Sequence, residues 1–188
     1  QKDFNKNDAQ KVIDYLQKGG KAIIVGMHSE TEMPNFASIL DTYGVSLTTG
    51  PIADNDAQHY YNMGGPLYLL PNVNSSSYTG SLSGGYVYLP ISLGINYPQN
   101  STTDDTESTE ESKTTYTSLL DTSDDAVAKN NPNSMQDYGY EDGDDKGPFS
   151  VGLAVEDKVD DDHTTQLVVF ASPVSYTHLR AHETREDL

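Results

Sequence analysis

The sequence predicts an α/β domain: a layered sheet carrying helices, interrupted by acidic insertions. Near the start, two stretches of helical periodicity each run through Gly into an apolar, strand-like segment. Near the end, residues 149–155 and 166–171 are apolar and rich in β-branched side chains. Between these regions, residues 99–115 and 130–147 are dominated by Ser, Thr, Asn, Asp and Glu. A chain of 188 residues is long enough to bury a substantial single core.

Taken in order, Asn7 with Gln10 three positions on is the expected cap of the first helix, and Asp8 puts acid in its first turn. Ala9, Val12, Ile13 and Leu16 recur at helical spacing, and Gly19-Gly20 ends the run. Lys21-Ala22-Ile23-Ile24-Val25-Gly26 is continuously apolar after its first residue, which predicts a strand buried on both faces. Pro34-Asn35 opens a second helix whose inner face is Phe36, Ile39, Leu40 and Tyr43, and Gly44 closes it. Val45-Ser46-Leu47-Thr48 alternates like a half-buried strand, and Ile52-Ala53 adds a short one.

The tyrosine-rich stretch from His59 to Pro71 predicts loop and short strand. Tyr86-Val87-Tyr88-Leu89, continued by Ile91, Leu93 and Ile95, predicts an alternating strand. Residues 99–115 cannot bury enough apolar surface to offset the entropy of ordering, so they are expected as a flexible insertion. Residues 116–120 restore a strand, 121–129 read as a turn with a short helix, and 130–147 as a second acidic loop. The domain thus falls into a first part, 1–98, and a second part, 116–173.

Residues 174–188 stand apart. Both arginines of the chain, Arg180 and Arg185, and two of its five histidines, His178 and His182, fall there. The string from Val174 to Thr184 resembles a sequencing-library adapter translated in one frame. This tail is therefore expected to be foreign to the domain, and its His-His-Glu spacing is not read as a metal site.

Acids outnumber Lys and Arg by 29 to 11, for a formal net charge of −18. Such a surface repels phosphate backbones and anionic lipid, so no nucleic-acid partner is expected. The absence of cysteine removes disulfides, zinc–thiolate sites and thiol nucleophiles. No apolar run approaches the ~18 residues of a membrane-spanning helix.

Two places could bind a ligand. His28-Ser29-Glu30-Thr31-Glu32 follows a strand, and the carboxyl ends of strands are where open α/β sheets take ligands; His28 and Glu30 are the candidates there. Tyr60, Tyr61 and Tyr68, with Tyr86 and Tyr88, could supply stiff aromatic contact area for sugars or partner side chains. The acidic stretches 137–145 and 156–163 invite calcium, but placing the EF-hand Gly at Gly143 puts Tyr138 and Tyr140 where carboxylates belong. No metal site and no cofactor are expected. Gly19-Gly20 sits at a helix end, the wrong polarity for phosphate, and neither a P-loop nor a Gly-x-Ser-x-Gly elbow is present.

Several segments, in order, resemble the GldG family, auxiliary components of an uncharacterised ABC-type transport system related to gliding-motility proteins. They are Asp3-Phe4 with Val12-Ile13-Asp14-Tyr15-Leu16 and Gly19-Gly20-Lys21; Met33-Pro34-Asn35-Phe36 running to Tyr43-Gly44-Val45; His59-Tyr60-Tyr61 with Tyr68-Leu69-Leu70-Pro71; Leu119-Leu120-Asp121-Thr122-Ser123; Gly147-Pro148-Phe149; and Leu167-Val168-Val169-Phe170-Ala171-Ser172. The resemblance covers nearly all of residues 1–173. It implies a flavodoxin-like or glutamine-amidotransferase-like fold on the extracytoplasmic side of a bacterial membrane, anchored by flanking helices that lie outside this fragment. It also implies an ABC permease and ATPase as partners. Catalysis is not expected, because the amidotransferase nucleophile is a cysteine and this chain has none. A glycan- or small-molecule-binding module using the loop after Val25 and the tyrosine segment is the alternative reading. A hydrolase built on His28 and nearby carboxylates is a further one.

Overall fold

A computed structural model describes residues 2–29, 31–82, 85–99, 113–130 and 138–172. The insertion expected at 99–115, apart from its ends, and the tail at 174–188 lie outside the described residues. The chain is a mixed α/β fold with one large mixed sheet and few helices.

Helix α1 (Lys6–Leu16) buries Ala9 and Leu16. Its cap is Asn5 rather than Asn7: the Asn5 side chain accepts a hydrogen bond from the Asp8 backbone N–H at 2.9 Å and donates to the Asp8 carboxylate. Asp8 stands three residues after the cap, the place expected of Gln10, but its carboxylate meets the Asn5 side-chain amide rather than the cap's backbone N–H as in a capping box. Gly19, at φ +84°, turns the chain out of the helix, a conformation that favours glycine.

β1 (Lys21–Val25) pairs in parallel with β11 (Thr164–Phe170) and with no other described strand. The expectation of burial on both faces is therefore corrected. Ala22 and Ile24 pack toward the helices, but Ile23 is 65% exposed on the opposite face. An edge strand and a central strand can share the same apolar composition, and only the pairing separates them.

α2 (Pro34–Asp41) buries Ile39 and Leu40, and Tyr43 follows them into the core. β2 (Ser46–Asp54) is one strand where two were expected. Its first half pairs with β6 (Leu93–Asn96) and its second half with β8 (Ala126–Ala128), with a register shift between Leu47 and Pro51. The expected strand through 86–95 is broken. β5 (Leu89–Pro90) pairs with β3 (Tyr68–Leu69), the chain kinks at Ile91 with φ +51°, and β6 begins two residues later. The helix expected within 121–129 is absent: a turn at 124–125 leads directly into β8.

β10 (Ser150–Lys158) is the true central strand. It runs antiparallel to β11 on one side and to β7 (Thr114–Asp121) on the other, and all of residues 150–155 are buried. Beyond Phe170, β6 takes over the position beside β10, at Ser150. β4 (Asn72–Val73) pairs with β7, and β9 (Asp145–Lys146) with β8.

The pleat sorts the core into two layers. Leu153, Val155, Leu167 and Val169 face α1 and α2 together with Ile39, Leu40 and Val45. Val151, Ala154 and Phe149 face the other way, against Leu69, Leu89, Leu119 and Leu120. The loop after β1 lies on the helical layer, and the tyrosine segment lies on the opposite one.

Candidate functional site

Gly26 N–H still donates to the Phe170 carbonyl at 2.8 Å, so the chain leaves the sheet only at Met27. His28 is exposed and its Nδ1 lies 3.2 Å from the Thr49 carbonyl. A carbonyl can only accept, so Nδ1 carries the proton and Nε2 is the acceptor in the neutral ring. Ser29 and Thr31 close a turn on themselves: Ser29 Oγ donates to the Thr31 carbonyl at 2.9 Å and accepts from its N–H at 3.2 Å. Glu30 lies outside the described residues.

This loop borders a cleft of about 500 Å³. Met27, Met33, Phe36, Leu40, Leu47 and Leu93 form its apolar walls, while His28, Ser29, Thr31, Glu32 and Thr49 supply polar groups. That is the composition of a small-molecule site, an apolar body with a few convergent polar groups. A second cavity of about 320 Å³, lined by Lys2, Asp3 and Phe4, shares Met27, Met33 and Phe36 with it.

The floor of the cleft depends on how α2 begins. Met33 at the cap position offers no side-chain acceptor. Asp3 supplies it from the other end of the chain, accepting from the Asn35 backbone N–H at 2.9 Å and the Phe36 N–H at 3.0 Å. The Asn35 side chain adds a bond to Asp3 and another to the Phe4 carbonyl. Burial pulls the Asp3 carboxyl upward, but these N–H donors outweigh it and hold it below its ordinary value. The sequence placed Asp3 in a family-like motif; its capping role across 32 residues leaves no local signal.

The tyrosines form a separate cluster. Tyr61 meets Tyr88 edge-on with ring centres 6.0 Å apart, and Tyr68 stacks on Tyr88 at 6.1 Å. Burial first, then the neighbouring Tyr68 and Tyr61, raises the Tyr88 phenol. Tyr60 is half-buried and bridges to Leu69, whereas Tyr86 is 92% exposed and makes no described ring contact. None of the five lines the cleft beside His28. At the far end of β2 from Thr49, the Asp54 backbone N–H donates to the Pro66 carbonyl of the tyrosine-side turn at 2.9 Å. The structure thus keeps the two expected ligand places apart.

Two buried polar centres were missed. Lys129, 1% exposed, donates to the Asp144 carboxylate at 2.6 Å, Glu141 at 3.0 Å and the Gly139 carbonyl at 2.8 Å. Burial pulls the Lys129 amine down, but Asp144 and Glu141 reverse this and raise it. Burial likewise pushes Asp144 up, while Lys129 and the backbone N–H groups of Glu141 and Asn130 bring it below the usual carboxylate range. Part of the expected acidic loop is therefore a clasp tied to the core. A hint was available: Lys129 directly follows the apolar Ala126-Val127-Ala128 and is the only cation between Lys113 and Lys146.

The second centre is Asp54, 1% exposed, which accepts from the Ser123 N–H at 2.9 Å, the Ser123 hydroxyl and the Asp56 N–H at 3.1 Å. His59 Nδ1 stands 3.9 Å from this carboxylate. The carboxylate sits between Ser and His, whereas a nucleophilic relay needs the imidazole on the hydroxyl. This order holds Ser123 as a structural donor.

Together these features define a mixed α/β domain with an open, largely apolar cleft beside the end of an edge strand. No family model matches the chain, and no curated protein matches it. Among solved structures, the chain is similar to one described as "mmIFT52 N-terminal domain", with a TM-score of 0.55 and 12% identity. The match covers 90% of this chain and 61% of that one, so the chain spans less than two thirds of its neighbour's length. At this identity the likeness concerns the fold alone.

Proposed function

We propose that this chain is a non-catalytic binding domain, and that it serves on the extracytoplasmic side of a bacterial membrane as an auxiliary part of an ABC-type transport system. The binding role rests on one observation: the loop selected from the sequence borders a cleft of about 500 Å³ with apolar walls and polar groups at its rim. The transport setting rests on the GldG-family resemblance, and with it come the permease and ATPase as partners. A flavodoxin-like or amidotransferase-like ancestry belongs to the same proposal. The parallel β1–β11 pair beside α1 and α2 supports it, while the antiparallel pairing of β10 with β11, β7 and β6 weighs against a fully doubly wound sheet. Anchoring would come from segments outside this sequence; among the described residues no helix is long and apolar enough to cross a membrane.

The test is to sequence the genes beside the intact reading frame and to co-express the tagged chain with any ATPase and permease found there. Co-purification of the permease is the expected result. Absence of such neighbouring genes, or no retention of the permease, overturns the transport setting and leaves the cleft to be judged by ligand binding.

A second reading, glycan binding, is favoured by the contact cluster of Tyr61, Tyr68 and Tyr88 on the face opposite the helices. A glycan-array signal lost in Tyr68→Ala would support it. The hydrolase reading gains little from His28, whose Nδ1 is engaged by a backbone carbonyl rather than a carboxylate.

A further inference from the structure

We propose that the cleft beside His28 selects ligands that join an apolar body to a hydrogen-bond-donating, cationic head, such as an alkylammonium, and discriminates against carboxylates and phosphates. The inference deepens the binding role proposed above and rests on it. Four observations converge. Among the described lining residues the carboxylates are Glu32 and Asp41, and neither Lys nor Arg is present. Lys2 lies in the adjoining cavity, where Asp3 is also present.

The second observation concerns α2. A helix N-terminus is a default anion site because its first N–H groups are unsatisfied. Here Asp3 has already taken the Asn35 and Phe36 N–H groups, so an anionic ligand finds that position filled by a carboxylate. At the other end of the same helix, Asp41 adds a negative side chain where the helix dipole is itself negative.

The third is the orientation of His28. Its Nδ1 proton is directed to the Thr49 carbonyl, so the neutral ring presents Nε2 as an acceptor. Glu32 and Asp41 are acceptors, as is Nε2 of the neutral His28 ring, and the complementary ligand group is a donor. Fourth, a net charge of −18 raises the local concentration of cations and lowers that of anions around the whole chain. The apolar walls take the ligand body, with Met27 and Met33 providing adaptable contact.

The methionines give a direct readout. The chain has four, of which Met27 and Met33 line the cleft and Met63 stands 87% exposed beside Tyr61 on the other layer. The chain, labelled with ¹³C at the methionine methyls, is titrated with octylammonium, 1-octanol and octanoate, which share one tail and differ in head. Octylammonium and 1-octanol are expected to move the Met27 and Met33 signals while Met63 stays fixed. Both carboxylates are exposed, so the preference is modest: octylammonium is expected to bind about fivefold more tightly than octanoate in low salt. The double variant Glu32→Gln, Asp41→Asn should remove that gap, bringing octylammonium to within about twofold of octanoate in the same titration. Octanoate binding as tightly as octylammonium overturns the selectivity while leaving the cleft a binding site. No movement of Met27 and Met33 with any of the three overturns both the selectivity and the cleft, as does equal movement of Met63, which would mark non-specific adsorption.

Discussion

Lys129 and Asp144 form an ion pair that is almost wholly removed from water, with side-chain exposures of 0% and 1%. Breaking a buried pair outright costs about 3–5 kcal/mol, and removing Asp144 leaves Lys129 buried with the more exposed Glu141 as its remaining carboxylate partner. Asp144→Asn is therefore expected to lower stability by about 2–3 kcal/mol in urea unfolding at pH 7. Because the Asp144 carboxyl lies below its ordinary value, its contribution is fully present above about pH 4 and is lost as pH falls through the folded-state value. The variant should show a flatter stability curve than the parent over that acid range. Tyr78 gives the alkaline counterpart. Burial, then the hydrogen bond and charge of Glu156, push its phenol up to about 12, and its hydroxyl donates to Glu156 at 2.6 Å. A raised folded-state value means stability that is present below about pH 10 and is lost as pH rises toward 12. Tyr78→Phe should cost about 1 kcal/mol at neutral pH and reduce the loss between pH 10 and 12, read by thermal melts across that range. The sequence hints at a buried Lys129 but names the partner in neither pair, because the partners are 15 and 78 residues apart and no short-range pattern joins them.

Elements in this fold are decided by close approach as much as by periodicity. Gly50 lies in β2 where the strand changes partner from β6 to β8, and a Cβ there would stand 1.6 Å from the Lys129 carbonyl oxygen. That oxygen belongs to backbone, so relief requires moving β2 away from β8. Gly50→Ala is expected to destabilise by at least about 2–3 kcal/mol, whereas Gly65→Ala, with no atom within 4 Å of its Cβ position, tests only the positive φ of +81° and should cost less. Comparing the two denaturation midpoints checks this. β1 makes the opposite case. Ile23 is 65% exposed on an edge strand, so Ile23→Lys should leave the melting temperature almost unchanged and lower the concentration-dependent light scattering of the chain. The helices were the most legible elements, since amphipathic spacing and Gly stops are local. Their caps were less so: Asn5 caps α1 where Asn7 was expected, and Asp3 closes the start of α2 from a distant part of the chain, because capping depends on where the rest of the chain runs.

The whole molecule carries 29 acids against 11 basic residues, and folding draws those charges together. Raising ionic strength from low to about 0.5 M should therefore raise the melting temperature by roughly 3–5 °C, since screening shortens the reach of the repulsion to a few ångströms. A fall in melting temperature would show that attractive pairs such as Lys129–Asp144 outweigh the general repulsion. The two N-terminal helices, the apolar segments that become β1, β10 and β11, and the place of the loop after β1 were readable from residue types, because each depends on neighbours within a few positions. Which strand is central was not. Residues 21–25 and 150–155 are similarly apolar, yet the first pairs on one edge and the second on both. Nor could sequence decide that His28 would turn to Thr49, that Asp3 would close the start of α2, or that the tyrosines would stand on the opposite layer from the cleft. Local composition fixes which faces of an element avoid water; only the folded chain decides which other element covers them, because that choice is made by contacts between residues far apart in the chain.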